Sequence, residues 1–437
     1  MGHMNGKDIY RKLGKKIDNL TVRVPWNESV HAILKELYSP DEANFVIKMP
    51  YGMSNLERVK EITGYEDPKL SRFLDKLCSK GLVIDLCIND EYYYMPSPMV
   101  VGIFEFTMMR TGNNLDTEGW AKLFHQYMQR EDSVIPVNFR NGEKVSLMRA
   151  LPHEGTIESS DYVEILDYEK ATAVIEGADK FAIGICSCRH EKHHVGEKKC
   201  DVPLETCTSF DRAADFLIRN NLAKEVSKSE MLENFARSKE MGLVLTADNV
   251  KRNVAFVCHC CDCCCNVLQG IKRFGYPNIL VTSNFMASID DETCLGCGEC
   301  AKACNIDAIE MVAIDDPNSK KKKRPELNTS FCLGCGVCVL KCKPGALNLA
   351  PREQRVLHPE TTFERVILQC LERGTLQNQL FDNPQNITHK FMRGFTGAVF
   401  KLPPVKKALM SDMFRSSFLK AMTKGVKRQG NEWIAEI

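Results

Sequence analysis

From Trp26 to Ser97 the apolar positions first recur with a helical period and then switch to alternation. "NESVHAILKELYS" offers Asn27 as an N-cap, and "PDEANFVIKM" puts Pro40 in a first helical turn. "SNLERVKEITG" stops at Gly64. "DPKLSRFLDKLCSKG" stops at Gly81 and carries Leu70, Phe73, Leu74 and Leu77 on one face. "LVIDLCINDEYYYMP" then alternates and turns at Asn89-Asp90, which predicts a hairpin.

From about Ser133 to Asn284 the pattern becomes mixed. "FAIGIC" (Phe181 to Cys186) and "NVAFVC" (Asn253 to Cys258) are short apolar runs bounded by polar residues and predict buried strands. Two helical stretches, "SFDRAADFLIRNNLA" and "SKSEMLENFARSKEMG", lie between them. Strand, helices, strand predicts a βαβ crossover with the two strands parallel neighbours or near neighbours. From Ile289 to Leu349 a segment repeats: "IDDETCLGCGECAKACNIDAIEMV" and "LNTSFCLGCGVCVLKCKPGALNLA". The remainder, from Ala350, reads as helices broken by "LPP". Lys390 to Ile437 holds ten Lys/Arg against three Asp/Glu.

Composition changes this picture at one residue type. The 437 residues include 58 Lys+Arg and 57 Asp+Glu, so no global charge favours nucleic acid or an anionic surface. Cysteine, at 21 residues, is the outlier. Tight clustering in a long chain without a visible secretory signal argues for metal ligation in a reducing compartment rather than a disulfide scaffold. No apolar run reaches the length of about 18 residues that a transmembrane helix needs. The expected location is cytoplasmic.

Each repeat carries C-x2-C-x2-C-x3-C: Cys294, Cys297, Cys300 and Cys304, then Cys332, Cys335, Cys338 and Cys342. Thiolates at this spacing wrap a cubane of iron and sulfide, and Gly296, Gly298, Gly334 and Gly336 allow the tight turns that bring N–H groups toward it. Zinc also takes four thiolates, but eight cysteines in two copies of one spacing favour two [4Fe-4S] clusters. The run from Lys320 to Arg324 between the repeats is read as a solvated loop, with docking of an acidic redox partner as the alternative.

Ten more cysteines fall in the middle region: Cys186, Cys188, Cys200, Cys207, Cys258, Cys260, Cys261, Cys263, Cys264 and Cys265. Both apolar strands end in Cys-x-Cys, "ICSC" and "VCHC", at a constant offset of 72 residues. Alternation points both thiols of each pair to one face. Cys186, Cys188, Cys258 and Cys260 therefore make one candidate site, with Cys261 and Cys263 facing away. A further site from Cys200, Cys207 and two of the other four follows. The rival partition joins Cys186, Cys188, Cys200 and Cys207 and leaves the dense run to a second cluster. One or two further iron–sulfur clusters are expected here, with zinc, or a reactive dithiol or non-cubane catalytic cluster, as alternatives. His190, His193, His194 and His259 are read as solvated rather than as ligands. Cys78 and Cys87 read as core thiols.

Two resemblances add to these readings. The N-terminal helices and hairpin resemble a winged helix-turn-helix domain. From Ser54 to Gly81, however, six Lys/Arg face five Asp/Glu and the hairpin tip carries no base, a weak footprint for DNA. The repeats resemble the two-cluster bacterial ferredoxin arrangement, which implies that the fourth cysteine of each repeat ligates the other cluster. One cluster then takes Cys294, Cys297, Cys300 and Cys342, the other Cys332, Cys335, Cys338 and Cys304. Asn305 stands where that pattern has proline after the fourth cysteine, and in the second repeat the proline is displaced to Pro344. With "CSCRH", "PLETC", "CHCCDCCC" and "ERGTLQNQLFDNP", the whole is similar to multidomain 4Fe-4S ferredoxin-like proteins of anaerobic bacteria and archaea. That resemblance implies an iron–sulfur electron carrier or redox subunit.

The expectation is an α+β multidomain chain: a winged-helix-like domain and linker (1–130), a cysteine-rich α/β domain (131–287), a two-cluster ferredoxin domain (288–350) and a helical basic tail (351–437). Its function is single-electron transfer to or from a larger redox enzyme. An oxidoreductase with an active-site cluster in the middle region, and a redox-sensing DNA-binding regulator, are the alternatives. The partner is a redox protein; DNA is disfavoured. Peripheral membrane contact through Phe414, Phe418, Leu419 and Met422 ranks below a tail packed back on the protein.

Overall fold

The computed structural model describes residues 8–157, 167–315, 321–354, 356, 358–428 and 432–436. Local signals set the N-terminal helices. Asn27 caps Glu28–Leu37 by accepting the Val30 N–H at 2.9 Å. Ser39 and Glu42 form a reciprocal capping box on Pro40–Lys48, and left-handed Gly64 ends Leu56–Thr63. Lys69–Ser79 follows. Strands β1 (Ser54–Asn55), β2 (Val83–Ile88) and β3 (Glu91–Pro96) then form an antiparallel sheet in the order β1-β3-β2. Asn89 and Asp90 both take positive φ, as the tight hairpin turn between β2 and β3 requires.

The central region is built on one six-stranded sheet of β4 (Met148–Leu151), β5 (Phe181–Ile185), β6 (Glu205–Phe210), β7 (Ala223–Glu225), β8 (Val244–Asp248) and β9 (Phe256–Cys260). The order is β4-β8-β9-β6-β5-β7, and every pairing is antiparallel. This corrects the βαβ expectation. The two strands that end in Cys-x-Cys do run parallel, but β6 lies between them and pairs antiparallel with both. The sheet is therefore built from antiparallel pairs rather than from crossover units. The segment "ETCTSF" interleaves Thr206, Cys207 and Thr208 and shows no apolar run, so its strand is invisible to a hydropathy pattern. The interleaved strand adds Cys207 to the same end of the sheet as Cys186 and Cys258.

The next unit has two antiparallel ribbons, β10 (Phe285–Ile289) with β13 (Leu347–Pro351) and β11 (Ile309–Ala313) with β12 (Lys323–Leu327). The basic run meets this unit differently from expectation. Lys320 lies outside the described residues, Lys321 bonds Asp291, and Lys323 and Arg324 sit exposed on β12. The C-terminal helices Thr362–Arg373, Ile387–Phe400, Pro403–Met410 and Asp412–Arg428 pack around Phe363, Ile367, Leu371, Leu376 and Leu419. Phe418 and Met422 join that core, so most of the face read as a membrane candidate is turned inward. No helix among the described residues is long and apolar enough to cross a membrane.

Candidate metal centres

The two ferredoxin-like sets come together through short glycine turns. One cavity is lined by Cys294, Cys297, Cys300 and Cys342, and a second by Cys304, Cys332, Cys335 and Cys338. Each set thus takes three thiols from one repeat and the last thiol of the other. Gly296, Gly298, Gly334 and Gly336 all have positive φ. A Cβ on Gly334 would lie 2.1 Å from the Phe285 carbonyl oxygen, and one on Gly336 would lie 2.2 Å from Thr156 Oγ1. Backbone N–H groups already point at sulfur: Gly296 N donates to Cys294 Sγ at 3.4 Å and Ala308 N to Cys304 Sγ at 3.1 Å. Such donors tune a cluster's potential. Four converging thiols with amide donors fit a cubane in each cavity.

The sets differ in depth. Cys297 is exposed and the adjacent Leu295 is 69% exposed, so the first set opens to the surface. The second set lies against Val244 of the central sheet, with Cys332 and Cys338 buried and Cys304 and Cys335 half-buried. Burial pushes the Cys335 thiol up to about 12, so metal uptake there must displace a proton. His153 N donates to Cys335 O at 3.0 Å, and its Nε2 lies 2.9 Å from Leu243 O. Val244 lines the second cavity and is also the ladder partner of Cys260. One β-bridge therefore separates the inner ferredoxin-like set from the central cysteines.

Eight of those ten cysteines line a cavity of about 520 Å³ at the end of β5, β6 and β9. Cys186, Cys188, Cys207, Cys258, Cys260 and Cys265 belong to it alone, whereas Cys261 and Cys264 reach its wall and also belong to a second group. A register shift at Gly184/Ile185 bends β5 just before Cys186. Cys207 and Cys258 hydrogen-bond, which lowers the pKa of the first and raises that of the second. Cys265 bonds both Cys188 and Cys260. Glu105 reaches the same cavity, where burial raises its carboxyl to about 7 despite an N–H···O bond from Gly102. Val101, on the wall beside it, has φ +49, a strained value for a β-branched residue.

The other four, Cys200, Cys261, Cys263 and Cys264, bring their sulfurs within 4.8 Å of one another and suggest a further metal site. Neither partition expected from spacing is the one the fold makes. Cys207 stands with Cys258 rather than with Cys200, and Cys265 turns back to the larger cavity. Alternation did separate Cys258 and Cys260 from Cys261 and Cys263. His190 and His259 correct another expectation, because both are buried. His259 Nε2 lies 3.2 Å from Thr208 Oγ1 and its ring packs on Phe235, while His190 Nδ1 lies 2.6 Å from Met108 O.

Sequence reasoning missed Glu105 and Arg189. The signal for Arg189 was its place between "CSC" and the histidines, on the first turn of Ser187–His194, which brings it under the cysteine run. Its guanidinium is fully buried. It donates to Pro203 O at 3.0 Å, Thr206 Oγ1 at 2.6 Å, His259 O at 2.9 Å and Cys261 Sγ at 3.5 Å.

Residues 293–346 match the family model described as a 4Fe-4S dicluster domain. No curated protein and no solved structure matches the chain. The matched segment contains both repeats, so this part of the molecule is a dicluster domain for two [4Fe-4S] clusters, and it implies a role in iron–sulfur electron transfer.

Proposed function

We propose that the protein passes single electrons between a redox-protein partner and its own interior, as a carrier or subunit of a larger redox enzyme. The observation that supports this most is the graded depth of the two dicluster cavities, with Cys297 at the surface and Cys335 against the central sheet. Clusters held there supply one-electron redox chemistry. The chain contributes the order of the sites, amide donors to the sulfurs, and exclusion of water from the inner set. On this reading the N-terminal unit is winged-helix-like and serves docking. Two of the six bases counted from Ser54 to Gly81, Lys76 and Lys80, ion-pair with Glu42 at 3.0 and 2.8 Å, which does not favour DNA as its partner.

A second reading, an oxidoreductase with its reacting centre in the larger cysteine cavity, is favoured by one observation. The cavity joins eight thiols to a carboxyl, Glu105, whose pKa burial raises to about 7. One experiment separates the two. Anaerobic preparation should give at least about eight iron and eight sulfide per chain, four of each per cubane. A carrier then reduces a one-electron acceptor with no small substrate present, and Cys258→Ser leaves that transfer intact. If Cys258→Ser abolishes transfer while the ferredoxin-type signals persist, the second reading stands. Bound zinc with iron near zero would end both.

A further inference from the structure

We infer that Cys200, Cys261, Cys263 and Cys264 hold one tetrahedrally coordinated metal ion, and not an iron–sulfur cubane. The sulfur spacing carries the argument. Cys263–Cys264 is 3.2 Å, Cys200–Cys261 3.7 Å, and Cys200–Cys264 and Cys261–Cys263 are each 3.9 Å. Four thiolates about 2.3 Å from one ion stand about 3.8 Å apart along each edge of the tetrahedron. The thiolates of a cubane each sit on a different iron, so their separation grows to about 6 Å. The same molecule supplies its own comparison. Among the described residues these four are the group of His, Cys, Asp or Glu whose ligand atoms all converge within 4.8 Å, and none of the dicluster cysteines forms such a group.

The local fold explains the compactness. After β9 the chain turns through Asp262, Cys263 and Cys264, with Cys265 N donating to Cys261 O at 3.1 Å. Gln269 Nε2 pins that turn by donating to Cys263 O at 2.6 Å. Cys200 closes the set from the loop before β6. A 3.2 Å sulfur separation is far from the bond of about 2.05 Å that a disulfide needs.

Arg189 is the independent observation. A buried guanidinium without an opposing negative charge is costly, and the hydrogen bonds of Arg189 go to two carbonyls, a hydroxyl and a thiol, with no carboxylate among them. Its Nη2 instead meets Cys261 Sγ at 3.5 Å, and the groups around it that could carry negative charge are the thiols of Cys186, Cys261 and Cys200, two of them in the set of four. Four thiolates around a divalent ion carry a net charge of about −2, which a buried arginine partly offsets. A tetrahedral all-sulfur set takes zinc or mononuclear iron. Either ion clamps the loop bearing Cys200 to the base of helix Asn266–Phe274 and takes up Cys261 and Cys264 at the wall of the larger cavity, whose other six cysteines are left to separate chemistry.

The test is X-ray absorption at the zinc and iron edges on the full chain, with metal and sulfide counts. Zinc at about one per chain, in a shell of four sulfurs at about 2.3 Å and with no metal–metal distance, is the expected result. One iron per chain in excess of the sulfide count, with a tetrathiolate ferric spectrum, supports the inference equally and identifies the ion as iron. Cys200→Ser and Cys264→Ser should each lose that single ion and keep the dicluster iron and sulfide. Loss of about four iron with four sulfide in either variant overturns the inference. So does a disulfide among the four in unmutated, anaerobically prepared protein. Should the variants fail to fold, the absorption spectrum of the unmutated chain decides alone.

Discussion

Small changes in side-chain volume decide whether the inner dicluster cavity can close. Gly334 combines φ +69 with a Cβ position 2.1 Å from Phe285 O and 2.2 Å from Ser283 Oγ. The carbonyl belongs to β10, paired with β13 from Phe285 to Ile289, and cannot give way without breaking that ribbon. Ser283 Oγ also donates to Gly334 O at 2.9 Å, so the turn is held from both sides. Gly334→Ala should therefore cost on the order of 2 kcal/mol from the left-handed backbone and the close approach together. Thermal unfolding checks the cost. Iron counting should show the inner cluster bound less firmly than the outer, whose own close approach is at Gly296 and Lys323 O. The need for glycine at these positions was legible from the repeated "GCG", because the motif encodes its own turn. The place of Arg189 beside "CSC" was legible but its role was not, because its partners come from residues 203, 206, 259 and 261 and only folding brings them together.

At the level of elements, what was legible tracks how local the cause is. The helices Glu28–Leu37 and Pro40–Lys48 begin where Asn27 and Ser39 cap them, and the cap lies next to the helix it starts. Strand β6 has no such signal. Its position between β5 and β9 is a property of the sheet, and one unseen strand turned a crossover unit into an antiparallel one. The contact between helix Pro40–Lys48 and the end of helix Lys69–Ser79 carries a testable electrostatic tie. Glu42, 1% exposed, bonds Lys80 at 2.8 Å and Lys76 at 3.0 Å. Burial raises its pKa, but Lys80, the Ser39 amide and Lys76 together outweigh burial and hold it down at about 2, against an ordinary 4.5. A depressed carboxyl adds stability above its unfolded pKa and loses it as pH falls toward its folded value. Glu42→Gln should thus destabilise the protein near neutral pH by a few kcal/mol. The gap between variant and parent should shrink as pH falls from about 4.5 to about 2. Denaturant titrations of both proteins across that window check the sign; a gap that widens toward acid contradicts the assignment.

Across the whole molecule, the crossed pairing of the repeats matters more than either repeat alone. Cys304 belongs to the first repeat in sequence, yet its thiol lines the cavity of Cys332, Cys335 and Cys338, the set that packs on Val244 and the central sheet. Cys342 belongs to the second repeat and lines the surface cavity with Cys294, Cys297 and Cys300. The order from outside to inside is then Cys297, the surface set, the inner set, Val244, and its ladder partner Cys260 at the larger cysteine cavity. This order predicts asymmetric consequences for two chemically identical changes. Cys304→Ser should remove the inner cluster, about four iron and four sulfide, and leave a surface cluster that external reductants still reach. Electrons should then stop there, and the central cysteines should no longer respond to reduction from outside. Cys342→Ser should remove the surface cluster instead, slow reduction by large partners, and leave small reductants able to reach the inner set. Electron paramagnetic resonance of each reduced variant tells which cluster survives, and the interaction between two paramagnetic clusters should vanish in both. If Cys304→Ser removed the surface cluster, each repeat would ligate its own, and the path inward through Val244 would lose its anchor.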